Sequence, residues 1–189
     1  GGQTRISLIV SANEASKQYW PDDFKLQLCI EVGSQLTLSL TTFNESNDPV
    51  TITEAFHTYF NIGDPQSLVI SGLNGSTHSD KLDADSLPEI QEGDVQLLPP
   101  RDSVYLHQKG DIVIHDAGNS RRIRVRKRNA SSAVIWNPGP EIVKGFADIG
   151  DEAWKEFACV ESGNVIDDFI TIPAGAKHTV SVQYSIEPV

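Results

Sequence analysis

The chain has 189 residues, 39% hydrophobic and 22% charged, an ordinary globular composition with room for one domain and a substantial core. Fifteen Lys and Arg against 26 Asp and Glu give a formal net charge of -11, a field that repels phosphate backbones and anionic lipid, so nucleic acid and membrane surfaces are not expected partners. No run approaches the ~18 consecutive apolar residues of a membrane helix, and no basic stretch followed by an apolar one opens the chain, which predicts a soluble, cytoplasmic protein.

Arg5-Ile6-Ser7-Leu8-Ile9-Val10 reads as a strand, Asn13 to Lys17 as a turn or short helical turn, and Tyr19-Trp20-Pro21 resets the backbone. Phe24, Leu26, Leu28 and Ile30 alternate with Lys25, Gln27, Cys29 and Glu31. Beyond Gly33-Ser34, Leu36, Leu38 and Leu40 alternate with Thr37 and Ser39, which predicts a hairpin with one buried face. After the polar turn Asn44 to Pro49, Val50 and Ile52 resume extended structure and lead into Glu54 to Ile62, a strand-like run with a histidine between aromatics. Leu68-Val69-Ile70 is a short strand, and Leu82 to Gly93, acidic and without a sustained period, is predicted as a surface loop.

Val95 to Leu98 and Val104 to Leu106 flank Pro99-Pro100, and Asp111 to Asp116 alternates before the turn Ala117-Gly118-Asn119. Arg121 to Arg128 is the one basic run. As a strand it turns Arg122, Arg124, Arg126 and Arg128 to one face and Ile123, Val125 and Lys127 to the other. With Asp111 to Asp116 as a candidate neighbour, a solvated face paired with acidic residues is preferred to a dedicated anion site. Asp151 to Phe157 offers the only plausible helical turn, and Phe169 to Ile172 and Thr179 to Ile186 close the chain as strands. Many short strands joined by Gly, Pro and Asn turns, almost without helix, predict an all-β antiparallel β-sandwich, taken as a single domain over residues 1–189.

Cys29 and Cys159, far apart and flanked by apolar residues, read as buried free thiols rather than a disulfide or a zinc site. His78, His107, His115 and His178 form no His-x-His or His-x-x-x-His pair and are expected at the surface, so no metal is called for. The sequons at Asn44, Asn74 and Asn129 read as chance. The absence of methionine and the Gly1-Gly2 opening leave a fragment, a processed form and an engineered piece all open.

The segment Glu54-Ala55-Phe56-His57-Thr58-Tyr59-Phe60 is followed by Ser71-Gly72-Leu73-Asn74-Gly75, Asp80-Lys81, Arg101-Asp102-Ser103-Val104-Tyr105, Val134-Ile135-Trp136-Asn137-Pro138 and Phe157-Ala158-Cys159-Val160-Glu161. In content and order these landmarks resemble the aldose 1-epimerase-like superfamily, specifically its hexose-6-phosphate mutarotase (glucose-6-phosphate 1-epimerase) branch. The resemblance implies a galactose mutarotase-like supersandwich. It also implies an isomerase that interconverts the α and β anomers of a hexose 6-phosphate, with a sugar or sugar phosphate as small-molecule partner and no cofactor.

Such a reaction is two proton transfers around one carbon–oxygen cleavage. A base takes the proton of the anomeric hydroxyl while an acid protonates the ring oxygen, both within hydrogen-bond reach of one sugar. The resemblance implies His57 as the acid, Glu161 as the base and Asp102 as the group that orients substrate hydroxyls. Histidine suits the first role because its unperturbed pKa of ~6.5 leaves a protonated fraction near neutral pH; a carboxylate suits the second because it stays ionised unless desolvated. Without the resemblance, His57 reads as a partly buried residue among aromatics, Glu161 as a solvent-facing strand-end carboxylate and Asp102 as a turn aspartate.

Two departures carry expectations. Family members of this type are longer, and the N-terminal third that precedes the segment matching Thr4 to Val10 holds early strands and the arginines that grip the sugar phosphate. No residue here inherits that role, and Arg101 and the basic run stand as open substitutes. Without those strands, Leu36, Leu38 and Leu40 are expected to be exposed, so that either a homo-oligomer covers the sandwich edges or the sheets rearrange. Gly139, second, stands where the family usually has a tryptophan. The competing readings are a non-catalytic carbohydrate-binding or regulatory β-sandwich, which would hold a sugar without turning it over, and a purely structural β-domain.

Overall fold

The computed structural model of the chain describes residues 2–188; Gly1, half of the Gly1-Gly2 opening, and Val189 lie outside them. Among these residues the strands are β1 (Thr4–Ser11), β2 (Phe24–Val32), β3 (Leu36–Asn44), β4 (Val50–Ile52), β5 (Glu54–Phe56), β6 (Tyr59–Asn61), β7 (Val69–Ser71), β8 (Thr77–Asp80) and β9 (Glu89–Ile90). They continue as β10 (Val95–Gln96), β11 (Arg101–Leu106), β12 (Ile112–Asp116), β13 (Arg121–Arg128), β14 (Ser132–Asn137), β15 (Phe157–Asn164), β16 (Ile170–Ile172) and β17 (Lys177–Pro188). An eight-stranded sheet runs β1-β2-β3-β17-β13-β12-β7-β10, and a seven-stranded sheet runs β5-β15-β14-β11-β8-β9 with β6 also on β15. The strands β4 and β16 form a ladder of their own. Each pairing is antiparallel, and the molecule is the all-β sandwich that the turn-rich pattern predicts.

Period-two alternation decides what each strand buries. Ile70, Ile114 and Val125 from the larger sheet meet Tyr105, Ile135 and Val160 from the smaller one in a single core cluster. Each such side chain contributes ~1.5–3 kcal/mol by leaving water. On β13, Ile123, Val125 and Lys127 are buried while the arginines face out. There Arg124 pairs with Glu187 and Asp111, and β12, the candidate neighbour, lies across from β13 in antiparallel register. Both cysteines are free and buried.

The larger sheet changes character at its β1 end. Ile6, Leu8 and Val10 register with Ile30, Leu28 and Leu26, which register in turn with Leu38, Leu40 and Thr42, forming one apolar face. The hairpin predicted to have a buried face is only half-covered, and Leu8 and Val10 are 55% and 51% exposed. The reason is topological: the seven-stranded sheet ends at β5, whose Phe56, like Leu36 and Leu38, packs only partly buried against the margin of the core.

Two local readings change. Residues 82–93 are not all loop, because Glu89–Ile90 forms β9 on the edge of β8. A turn of α-helix, α1 (Gly139–Ile142), stands where no helix was expected; Pro138 and Pro140 preset its φ angles. Gly139 itself adopts φ +65° with its Cα against Pro100, a conformation glycine reaches without steric cost.

Candidate active site

On β15, Ala158 and Val160 point into the core, so Cys159 and Glu161 project from the opposite face of the seven-stranded sheet. By the same alternation β14 sends Trp136 and Val134 outward and β11 sends Asp102 and Val104 outward. The register aligns Asp102 with Trp136, Trp136 with Cys159, and Cys159 with Tyr59. Phe56 pairs with Ser162, and the next residue on each side brings His57 beside Glu161. Gly163 makes this close approach possible: a Cβ there would lie 2.6 Å from Ala55 Cα, a distance real side chains do not tolerate.

His57 Nε2 lies 3.1 Å from Glu161 Oε1, with the two side chains 48% and 11% exposed. The imidazole stacks on Tyr59, with ring centroids 4.9 Å apart, and meets the edge of Trp136 at 5.8 Å. These two rings fix the plane in which the histidine presents its nitrogen. Burial, and after it the negative charge of Asp102, pushes the Glu161 carboxyl up to about 7. Asp102 is itself raised by burial and by Asp80, with Lys81 and His57 opposing. The Lys81 backbone N–H donates to the Asp102 carbonyl at 2.7 Å, which holds that lysine alongside the aspartate. Burial and the neighbouring Glu161 hold the Cys159 thiol well above its ordinary range, so it packs as a neutral group.

The arrangement therefore offers a half-exposed imidazole, a desolvated carboxyl that ionises near neutrality, and a second carboxylate in electrostatic reach. Such a set can accept one proton and donate another to a small molecule on the open side of the sheet. The three residues singled out in the sequence converge on one face; His57 and Glu161 are in contact, while Asp102 acts on Glu161 through its charge. Tyr59, Trp136 and Lys81 complete the surroundings. Their signal was present, since each lies inside a landmark segment, but nothing local distinguishes a site aromatic from a core one. Among the described residues no group of three or more His, Cys, Asp or Glu could hold a metal ion.

The other histidines are not uniformly at the surface. His107 is exposed, with Nδ1 2.9 Å from Asp168, but the His178 side chain is 16% exposed and faces Glu54. The long alternating strand β17 draws it in, a burial that a lone histidine in the sequence does not announce. No helix among the described residues is long and apolar enough to cross a membrane.

Residues 2–185 match the family model described as aldose 1-epimerase. The chain is 36% identical over 158 residues to a protein of Salmonella typhimurium named "Putative glucose-6-phosphate 1-epimerase", a match that covers 83% of this chain and 52% of that protein. It superposes on the crystal structure titled "a putative mutarotase (YeaD)" from the same organism with a TM-score of 0.87 at 26% identity, over 100% of this chain and 64% of the other. A galactose mutarotase-like protein of Clostridium acetobutylicum shares the fold, with a TM-score of 0.72 at 17% identity, over 99% of this chain and 63% of the other. The chain thus spans about half the length of the curated relative it matches.

Proposed function

This chain belongs to the aldose 1-epimerase family, and from that premise we propose that it is a sugar mutarotase interconverting the α and β anomers of a hexose 6-phosphate. The observation that carries the reading is the 3.1 Å approach of His57 Nε2 to Glu161 Oε1 on an open sheet face. Glu161 as base removes the proton from the anomeric hydroxyl. The C1–O5 bond breaks as O5 takes a proton from His57, and the C1 carbonyl of the open-chain aldehyde forms. Rotation about C1–C2 presents the other face of the carbonyl, and closure reverses both transfers, so acid and base finish as they began.

Asp102 positions the substrate hydroxyls and keeps Glu161 basic. A carboxyl that ionises at about 7 suits a base working near neutral pH, where both its ionisation and its proton affinity are useful. The 6-phosphate preference rests on the relative's name, and Lys81 is the lysine whose charge acts on Asp102. The reading also places the protein in the cytoplasm, where thiols such as Cys29 and Cys159 stay reduced. Finally, it includes a second copy of the chain packing over the exposed β1 face.

The test is anomer exchange by NMR with glucose 6-phosphate and with free galactose, after subtracting the spontaneous rate, for the protein and its His57→Ala and Glu161→Ala variants. Exchange that collapses in both variants supports the assignment. A folded protein that binds sugar without exchange would replace it with a carbohydrate-binding module.

A further inference from the structure

The ladder between β15 and the strands before and after His57 is interrupted at the histidine itself. Phe56 pairs with Ser162 and Tyr59 with Cys159, but His57 and Thr58 form no pair. Thr58 N–H donates instead to the Phe56 carbonyl at 3.0 Å, closing a three-residue turn centred on His57. Alternation turns the Thr58 side chain inward while the imidazole faces the open side, and an inward hydroxyl needs a partner. It finds one on the other sheet: Thr58 Oγ1 lies 2.6 Å from the Tyr184 hydroxyl, and either oxygen can be the donor. Tyr184 is a firm anchor. Its strand is paired on both sides there, with Val125 of β13 and Leu36 of β3, and its ring meets Phe60 edge-on at 5.4 Å. Burial raises the phenol above its ordinary range, with Thr58 opposing, so it stays protonated and able to bond.

We propose that Tyr184 is a positioning residue for anomer exchange, a role that rests on His57 being the acid: its hydrogen bond to Thr58 pins the turn that aims the imidazole at Glu161 and the sugar. The position is one that the ladder leaves open, since pairing fixes Phe56 and Tyr59 but not the two residues between them. Thr58 adjoins His57 in the chain, so holding the threonine side chain against the core sets the direction in which the imidazole leaves the backbone. Tyr59 and Trp136 set the plane of that ring from the open side; Tyr184 holds its backbone from the core side. The tyrosine lies between the sheets and only 8% exposed, and on this reading it acts on His57 through Thr58 rather than on the sugar. Its loss therefore changes how often the acid stands in place and leaves the hold on the substrate as it was.

The test starts from Tyr184→Phe, which deletes the hydroxyl and keeps the ring against Phe60, in protein shown to be folded by its melting curve. Because small displacements of a catalytic group are costly, kcat for exchange should fall by ~10-fold or more while KM stays within about twofold. Thr58→Val should lose as much, and Thr58→Ser, which keeps the hydroxyl, should retain most of the parent rate. The double variant Tyr184→Phe/Thr58→Val should be no slower than either single one, since both break the same bond. NMR supplies a readout that needs no turnover. The His57 ring protons, which lie against the Tyr59 ring, should move toward the positions of an unstacked histidine in Tyr184→Phe, while those of His107 and His115 stay in place. A parental kcat in Tyr184→Phe, a rise in KM alone, losses that multiply in the double variant, or unmoved His57 signals would each overturn the role. A parent protein without exchange would instead remove the mutarotase reading, and the ring signals would still decide whether Tyr184 holds His57.

Discussion

Glu161 meets His57 at 3.1 Å across the β5–β15 ladder, and its carboxyl is buried enough to ionise only near pH 7. If Glu161 is the base, kcat/KM for anomer exchange rises with pH as that group loses its proton around 7. The profile is bell-shaped, because it falls again where the acid no longer carries the proton that it gives O5. Exchange rates measured by NMR across the neutral range check this. A profile flat from pH 5 upward would remove Glu161 from the role.

Asp102 is the charge that lifts Glu161 after burial has done so. Replacing it with asparagine keeps the shape and removes the repulsion, so the rising limb of the Asp102→Asn profile moves to lower pH. A limb that stays in place while KM alone rises would make Asp102 a substrate contact without electrostatic influence on the base.

The same burial has a stability consequence with a definite sign. The folded Glu161 holds its proton more tightly than the unfolded one, from an ordinary 4.5 up to about 7. Its contribution is therefore present in full below about 4.5 and is lost as pH climbs through 7. Glu161→Gln should be more stable than the parent by up to ~3 kcal/mol at pH 8 and near parity at pH 4. Denaturant melts at the two pH values decide it, and equal differences at both would refute the linkage.

Gly163 lets β5 lie against β15, since a Cβ there would sit 2.6 Å from Ala55 Cα. Gly163→Ala pushes β5, which leads directly into His57, away from β15 and so His57 away from Glu161. Expected are a loss of ~1–3 kcal/mol in stability and a fall in exchange larger than the unfolded fraction explains. Wild-type exchange in the folded variant would show that the ladder adjusts without moving the pair.

The strand β1 sits at the end of its sheet with Leu8 and Val10 half-exposed. Edges of this kind favour association, and light scattering should give a mass above the 20.7 kDa of one chain, falling to that value in Leu8→Lys. A monomer at every concentration would remove the second copy.

Strand pattern was legible because alternation is local: Ile123, Val125 and Lys127 turn inward on β13 as the basic run foretells, and Lys127 follows the pleat even though it is charged. The segments that carry His57, Asp102 and Glu161 were legible as landmarks in order. The sequence alone therefore determined the all-β class and the residues worth testing, since pleat and residue type are properties of short stretches. Only the tertiary structure decided that β5 lies on β15, that Glu161 is desolvated beside Asp102, and that Glu54 and His178 meet in the interior. Those facts depend on register between distant strands, and on where the smaller sheet stops at β5, neither of which any local run of residues encodes.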